Sequence, residues 1–465
     1  MRAHEAGALH AVAGHRAPAW LRPPVDPNAL VPELWSAHTE KGADGVLTVA
    51  GVSVADIAAE FGTPVYVVDE CDFRQRARTF RDAFDGVDVY YAGKAFLCLA
   101  TARWVATEGL GIDVCSGGEL AVALAAGTDP ARIGFHGNNK SLGELLRAVE
   151  AGVGRIIVDS PYEIERLEAI AGELGKTQPV LVRVAAGVEA HTHEYIATAH
   201  EDQKFGFSIV AGDAMSAIEQ VVASDHLDLR GIHSHIGSQI FDTSAFEVAA
   251  RRVLQLHAEV IGRFGVELEE LDLGGGFGIA YTTQDDPADP HELAKGMREI
   301  VAHECAALGV PAPRIAIEPG RAIAGPSTFT LYGVGTTKVV PLDGGATRHY
   351  ISVDGGMSDN IRTALYDADF SCTLANRAST AAPCLSRVVG KHCEAGDIVV
   401  KDEFLPSDIA PGDLIAVPAT GAYCRSMSST YNHVPRPAVV AVRHGAARLI
   451  VRRETEDDLL RLDVR

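Results

Sequence analysis

Between Val87 and Gly320 the chain repeats one alternation eight times: a short run rich in β-branched and aromatic residues, then a longer amphipathic stretch. The runs are VDVYYAGK, GIDVCS, RIGFHG, RIIVDS, PVLVRVAA, GIHSHIGS, LEELDLGGG and RIAIEPG. Helix-start signals separate them, such as Ser141 with Glu144 and Ser160 with Pro161 and Glu163, both capping-box arrangements ahead of apolar periodicity. Strand then helix, eight times over, is the pattern of a parallel (β/α)8 barrel, an α/β fold. An open, doubly wound sheet is the rival, because periodicity does not say whether a sheet closes. The strand ends favour the barrel. Each run finishes on a polar or glycine-rich element: Lys94, Asp113 with Ser116, His136 with Asn138, Asp159, Arg183, His235 with Ser238, Gly274 to Gly276, and Glu318. In a closed barrel these ends converge on one face, where catalysis takes place. Asp159 and Ser160 read as supporting or capping residues within that set.

After about Gly325 the texture changes to short strands without long helices, among them STFTLYGVGTTKVV, HYISVDGG and RPAVVAVRHG, which reads as a mainly-β C-terminal domain. The expected organisation is a poorly ordered tail over residues 1–28, a barrel over 70–325, and a β domain built from 29–69 and 326–465. The length of 465 residues suits two domains. A net charge of -21 repels phosphodiester backbones and anionic membrane surfaces, so neither nucleic acid nor a membrane is an expected partner. Eight cysteines without a CxxC pair, and no apolar run of membrane-spanning length or export signal, fit a reduced, cytoplasmic protein.

Lys94 ends an apolar, strand-like run. An ammonium dehydrated there costs several kcal/mol unless it is paired or its pKa falls, and an amine of lowered pKa is a nucleophile. The plainer reading is a lysine that extends its charge to water. LDLGGGFGI offers backbone N–H groups to an anion, or is simply a tight strand-to-helix turn. His233 and His235 share or nearly share a strand face, an arrangement that also holds zinc in some hydrolases, and His191 with His193 forms a second pair in a polar loop; no matching acid and histidine set stands out, and no metal is expected. Glu318 and Arg321 in IEPGRAIAG suit either a structural salt bridge or a carboxylate facing a pyridine nitrogen beside an arginine for a substrate carboxylate. Cys393, beside Glu394 in GKHCEAGD, is a small core residue or a proton-donating thiol in a cleft.

Taken together, YAGKA, GIDVCSGGEL, FHGNNKS, HIGSQ, LGGGFGI, EPGRA, VDGGMSDNIRTALY, GKHCEAGD and GAYCRSMSSTYN occur in the order found in the fold-type III pyridoxal-phosphate-dependent decarboxylases, which the chain resembles from about Pro64 to about Pro437. The resemblance implies a barrel of the alanine racemase type, a β-sandwich-like second domain, and a homodimer with shared active sites. It implies pyridoxal 5'-phosphate carried on Lys94, with His235 on the cofactor ring and Glu318 at the pyridine nitrogen. Ser238, Gly274, Gly275 and Gly276, with the backbone at Gly320 and Arg321, would hold the phosphate, and Asp113 and His136 would line the cofactor site. Arg321, Arg362, Tyr366 and Glu394 would bind substrate, Tyr423 would contact cofactor or substrate, and Cys393, arriving from the partner subunit, would donate the proton. The implied reaction is decarboxylation of meso-2,6-diaminopimelate to L-lysine, with another basic amino acid such as ornithine or arginine, or an inactive cofactor-binding regulator, as alternatives.

Overall fold

The computed structural model describes residues 17–187, 204–235, 237–342 and 345–464. His191, His193 and the first sixteen residues of the expected tail lie outside them. The chain divides into two compact units: Arg74–Gly278 with Pro287–Ile323, and the described residues up to Phe73 together with Ile279–Asp286 and those from Ala324 onward.

The first unit contains eight parallel strands, β1 (Asp88–Ala92), β2 (Gly111–Val114), β3 (Ile133–Phe135), β4 (Arg155–Val158), β5 (Gln178–Ala185), β6 (Leu227–His233), β7 (Glu270–Asp272) and β8 (Arg314–Ile317). Each pairs with the next, and β8 returns to β1 through Ala316 opposite Asp88 and Ile317 opposite Val89. The sheet is a closed barrel, as the polar strand ends suggested, and not an open doubly wound sheet.

Local chemistry sets the helices. Ser141 and Glu144 make the reciprocal capping box, and Gly152 ends that helix in the left-handed region. Ser160 caps its helix by accepting from the Glu163 N–H, but the expected reciprocal bond is missing. The Glu163 carboxylate turns inward instead, where it accepts a 2.6 Å bond from the buried Lys140 ammonium. Lys140 also donates to the carbonyls of Gly137 at 2.8 Å and Ile157 at 2.7 Å, so all three of its protons are used.

The barrel interior is charged below its mouth. Arg155 stacks 3.7 Å over the Tyr90 ring and forms buried ion pairs with Glu270 and, at 2.7 Å, with Asp272. Two inward-facing glycines make room for this. A Cβ at Gly111 would stand 2.3 Å from the Tyr90 ring, and one at Gly134 would stand 2.4 Å from Asp113 Oδ1.

In the second unit Val65–Asp69 lies inside a sheet made otherwise from the C-terminal segment, antiparallel to Thr328–Pro341 and parallel to Ala438–Arg443. Buried at every position, VYVVD cannot stand alone in water and is completed by strands more than 250 residues away. Thr328–Pro341 runs for 14 residues, longer than the short strands expected there, and serves as a spine pairing also with Thr347–Val353 and Leu414–Val417. Leu47, Val49, Val54 and Ile57 pack against this sheet, with Trp35 and Phe329 rings 5.8 Å apart. Among the described residues no helix is long and apolar enough to cross a membrane.

Candidate active site

The carboxyl ends of the barrel strands surround a cavity of about 240 Å³ lined by Lys94, Asp113, His136, Asn138, Arg183, His233, His235 and Glu318, among others. Six of the eight polar strand ends read from the sequence therefore meet at one place. Lys94 is exposed in the loop after β1, at odds with the expected dehydrated ammonium. The loop lifts the side chain out of the barrel layer into the cavity.

Glu318 follows β8 and lies at the centre of the site. Its Oε1 is 3.0 Å from His136 Nε2 and 3.1 Å from His233 Nε2, and the two imidazoles are 4.9 Å apart. Burial alone would raise the Glu318 carboxyl, but His136 and then His233 outweigh it and hold it well below the usual carboxylate range. Burial would likewise lower His136, but Glu318 and Asp113 raise it to about 9. His233 is lowered, chiefly by burial. At neutral pH the group is thus an ionised carboxylate, one imidazolium and one neutral imidazole. The close approaches lack hydrogen-bond alignment: Glu318 Oε1, His136 Nε2 and both Asp113 oxygens are buried without a hydrogen-bond partner. Buried polar atoms left this way are suited to a polar guest.

His235 lies two residues beyond the end of β6. Its Nδ1 accepts from the Gly275 N–H at 3.2 Å, so that nitrogen carries no proton. Burial first, then the charges of Lys94 and Arg183, put its pKa well below the ordinary value. The result is a neutral ring, suited to lie flat on an aromatic guest. His233 and His235 thus serve different partners, which removes the zinc pair suggested by their spacing. Among the described residues the donor set that does converge is His136, His233 and Glu318, with atoms within 4.8 Å of one another, a set the sequence did not reveal.

The glycine loop is packed to its limit. A Cβ at Gly274 would meet His235 Nδ1 at 2.8 Å, one at Gly275 would meet the Glu318 carbonyl at 2.4 Å, and one at Gly276 would meet the Gly237 carbonyl at 2.7 Å. Gly320 is equally tight, 2.9 Å from Ala92. Beside this loop Arg321 Nη2 donates to Ser238 Oγ at 2.7 Å, so the arginine is directed toward the expected phosphate-binding serine.

Arg362, Tyr366, Cys393, Glu394 and Tyr423 belong to the second unit. Arg362 is buried, stacked 4.5 Å over the Tyr281 ring, and its Nε and Nη1 have no hydrogen-bond partner. Cys393 and Glu394 are exposed on the loop before Ile398–Pro406. Tyr423 has a left-handed backbone, φ 67°, and follows Gly421, where a Cβ would collide with the Ala324 carbonyl.

His233 and Arg183 were not expected among the binding residues. The signal for His233 was present: along β6, residues 231 and 233 share a face, and period-two alternation points His233 inward. Arg183, stacked 4.4 Å over Phe205, carried no signal beyond its place at a strand end.

A family model described as "Pyridoxal-dependent decarboxylase, pyridoxal binding domain" matches residues 70–325. A curated diaminopimelate decarboxylase of Mycobacterium tuberculosis is 58% identical over 441 residues, covering 94% of this chain and 99% of that protein. The chain belongs to the diaminopimelate decarboxylase family. The Mycobacterium leprae member is 56% identical over 472 residues with both chains fully covered. Among solved structures, the family member from M. jannaschii in co-complex with L-lysine has a TM-score of 0.85 at 31% identity, over 92% of this chain and 98% of that one. Lys94 and the buried Glu318 carboxylate line one cavity, and the glycine loop packs against His235 and Glu318 at its wall.

Proposed function

We propose that the chain decarboxylates meso-2,6-diaminopimelate to L-lysine and carbon dioxide, using pyridoxal 5'-phosphate bound at the barrel mouth. The observation that carries this reading is Glu318: a buried, ionised carboxylate with an unpartnered oxygen, facing a cavity that also presents Lys94. The residues present fit the cofactor. Lys94 would hold its aldehyde carbon, Glu318 its ring nitrogen, the neutral His235 ring its face, and Ser238 with the packed glycine loop its phosphate. When bound, the cofactor supplies an electron-withdrawing ring that stabilises negative charge on the substrate's α-carbon.

The protein's own groups do the rest. Glu318 stays anionic and so would keep a proton on the ring nitrogen of the bound cofactor. His136 and His233 keep that carboxylate ionised in a buried setting. The Arg362 guanidinium, stacked on Tyr281 with Nε and Nη1 lacking hydrogen-bond partners, suits a substrate carboxylate, and a substrate lacking that group would leave those buried donors unsatisfied. Arg321, Tyr366, Glu394 and Tyr423 are assigned the remaining contacts. Cys393 Sγ delivers the proton that replaces the lost carboxylate. Its exposure in the single chain suits a homodimer in which each copy completes the other's site, and eight free thiols suit a cytoplasmic setting.

The test is release of carbon dioxide from diaminopimelate stereoisomers, ornithine and arginine side by side. The meso isomer alone should be turned over efficiently, and Lys94→Ala should abolish turnover and the covalent cofactor trapped by borohydride. Preference for ornithine or arginine, or near-normal turnover by Lys94→Ala, would overturn the reading.

A further inference from the structure

Next to Cys393 the structure holds a histidine that the proposed chemistry does not use. His392 is buried, whereas Cys393 is exposed. The Cys393 N–H donates to Asn432 Oδ1 at 3.3 Å, which identifies that oxygen as an acceptor. His392 Nδ1 lies 3.1 Å from the same oxygen and must therefore carry a proton. In the neutral ring Nε2 then has the lone pair, and it lies 2.8 Å from Ser358 Oγ, whose hydroxyl donates to it. Ser358 is tied in turn to the Asn432 segment, its carbonyl accepting from the Ser429 N–H at 2.9 Å. At the base of the loop the Asp397 carboxylate accepts from the His392 N–H at 2.8 Å and the Met357 N–H at 2.6 Å.

We propose that His392 is a positioning residue that clamps the Cys393 loop, joining the segments at Ser358, Cys393 and Asn432 through one imidazole. This rests on the reading of Cys393 as proton donor. Asn432 is held in the left-handed region, φ 52°, where asparagine is among the few residues that sit readily, and this backbone aims its side chain at both donors. Without the ring, Asn432 Oδ1 loses one donor, Ser358 loses its acceptor, and the backbone at Cys393 keeps a single long bond. The thiol would then sample positions away from the carbon it must reach, which lowers turnover without removing any substrate contact.

The experiment compares His392→Ala and His392→Gln in the holoenzyme, each with and without Cys393→Ala. It also follows iodoacetamide labelling of Cys393 by peptide mass spectrometry in cofactor-free protein. His392→Ala should lower kcat about tenfold, the scale of coupling between residues in contact, with KM changed less than about twofold. Glutamine, which can both donate to Asn432 and accept from Ser358, should restore most of the loss. His392→Ala should label several-fold faster at Cys393 and unchanged at Cys115. In the Cys393→Ala background, removal of His392 should cost nothing further. An equal loss in both backgrounds, or unchanged labelling in both variants, would overturn the clamp. If Cys393→Ala alone turns over normally, the proton-donor reading fails, and the labelling rate by itself decides whether the clamp exists. Should His392→Ala not fold, Asn432→Asp keeps the shared acceptor and must label at the native rate, while Asn432→Gly must label faster.

Discussion

Replacing Glu318 by Gln tests the electrostatic core of the site. At 3.0 Å, the attraction between the Glu318 carboxylate and a His136 imidazolium is about 5 kcal/mol at an effective dielectric of about 20. That corresponds to a change of roughly a thousandfold or more in a proton equilibrium. His136 is raised to about 9 against strong desolvation, so removing the nearer carboxylate should return it below neutrality, with Asp113 at 3.5 Å giving only partial support. The assay is imidazole NMR of cofactor-free protein, with the His136 resonance assigned from His136→Gln. In the native chain this ring should titrate near 9. In Glu318→Gln it should be neutral at pH 7.5, and holoenzyme turnover should fall with it. The stability consequence follows from linkage. The folded pKa lies above the unfolded 6.5, so His136 contributes stability that is complete below pH 6.5 and lost as pH rises through about 9. The amount is about 3 kcal/mol. The apparent melting temperature of the native chain should therefore fall between pH 6.5 and 10 more steeply than that of His136→Gln. A His136 resonance that still titrates near 9 in Glu318→Gln would refute the reasoning.

Arg155→Leu should leave Asp272 buried without its cation and Glu270 with only Arg314 at 3.2 Å, at a cost of about 3–5 kcal/mol, read as a large loss of melting temperature or soluble yield. Lys140→Met should be comparably damaging because it strands Glu163, while the double variant Lys140→Met with Glu163→Leu should regain much of the loss, measured by thermal unfolding. Gly275→Ala places a methyl 2.4 Å from the Glu318 carbonyl, so the loop must move; cofactor affinity, followed by fluorescence titration, should fall while the far-UV circular dichroism stays native.

Much of the barrel mouth was legible because the residues concerned occupy strand ends, and strand ends are set by local alternation. Lys94, Asp113, His136, His235, the glycine loop and Glu318 could each be placed on the same rim without knowing any contact between them. Their pairings could not. Glu318 meets His136 and His233 across strands separated in sequence, and that meeting depends on the sheet closing through β8 and β1 in one register. Glu163 illustrates the reverse case. Its spacing from Ser160 suits a capping box, yet a buried ammonium 23 residues away competes for the same carboxylate and takes it.

The amino-acid order alone determined the eightfold alternation, the family motifs and the residue types available for chemistry, because these depend on neighbours along the chain. Tertiary structure alone decided that Arg155 fills the barrel beneath the site, that Val65–Asp69 joins a sheet formed by the far end of the chain, and that His392 reaches Ser358 and Asn432. These are long-range encounters in a low-dielectric interior, where the position of each charge or hydrogen-bonding group is set by partners that sequence spacing does not bring together.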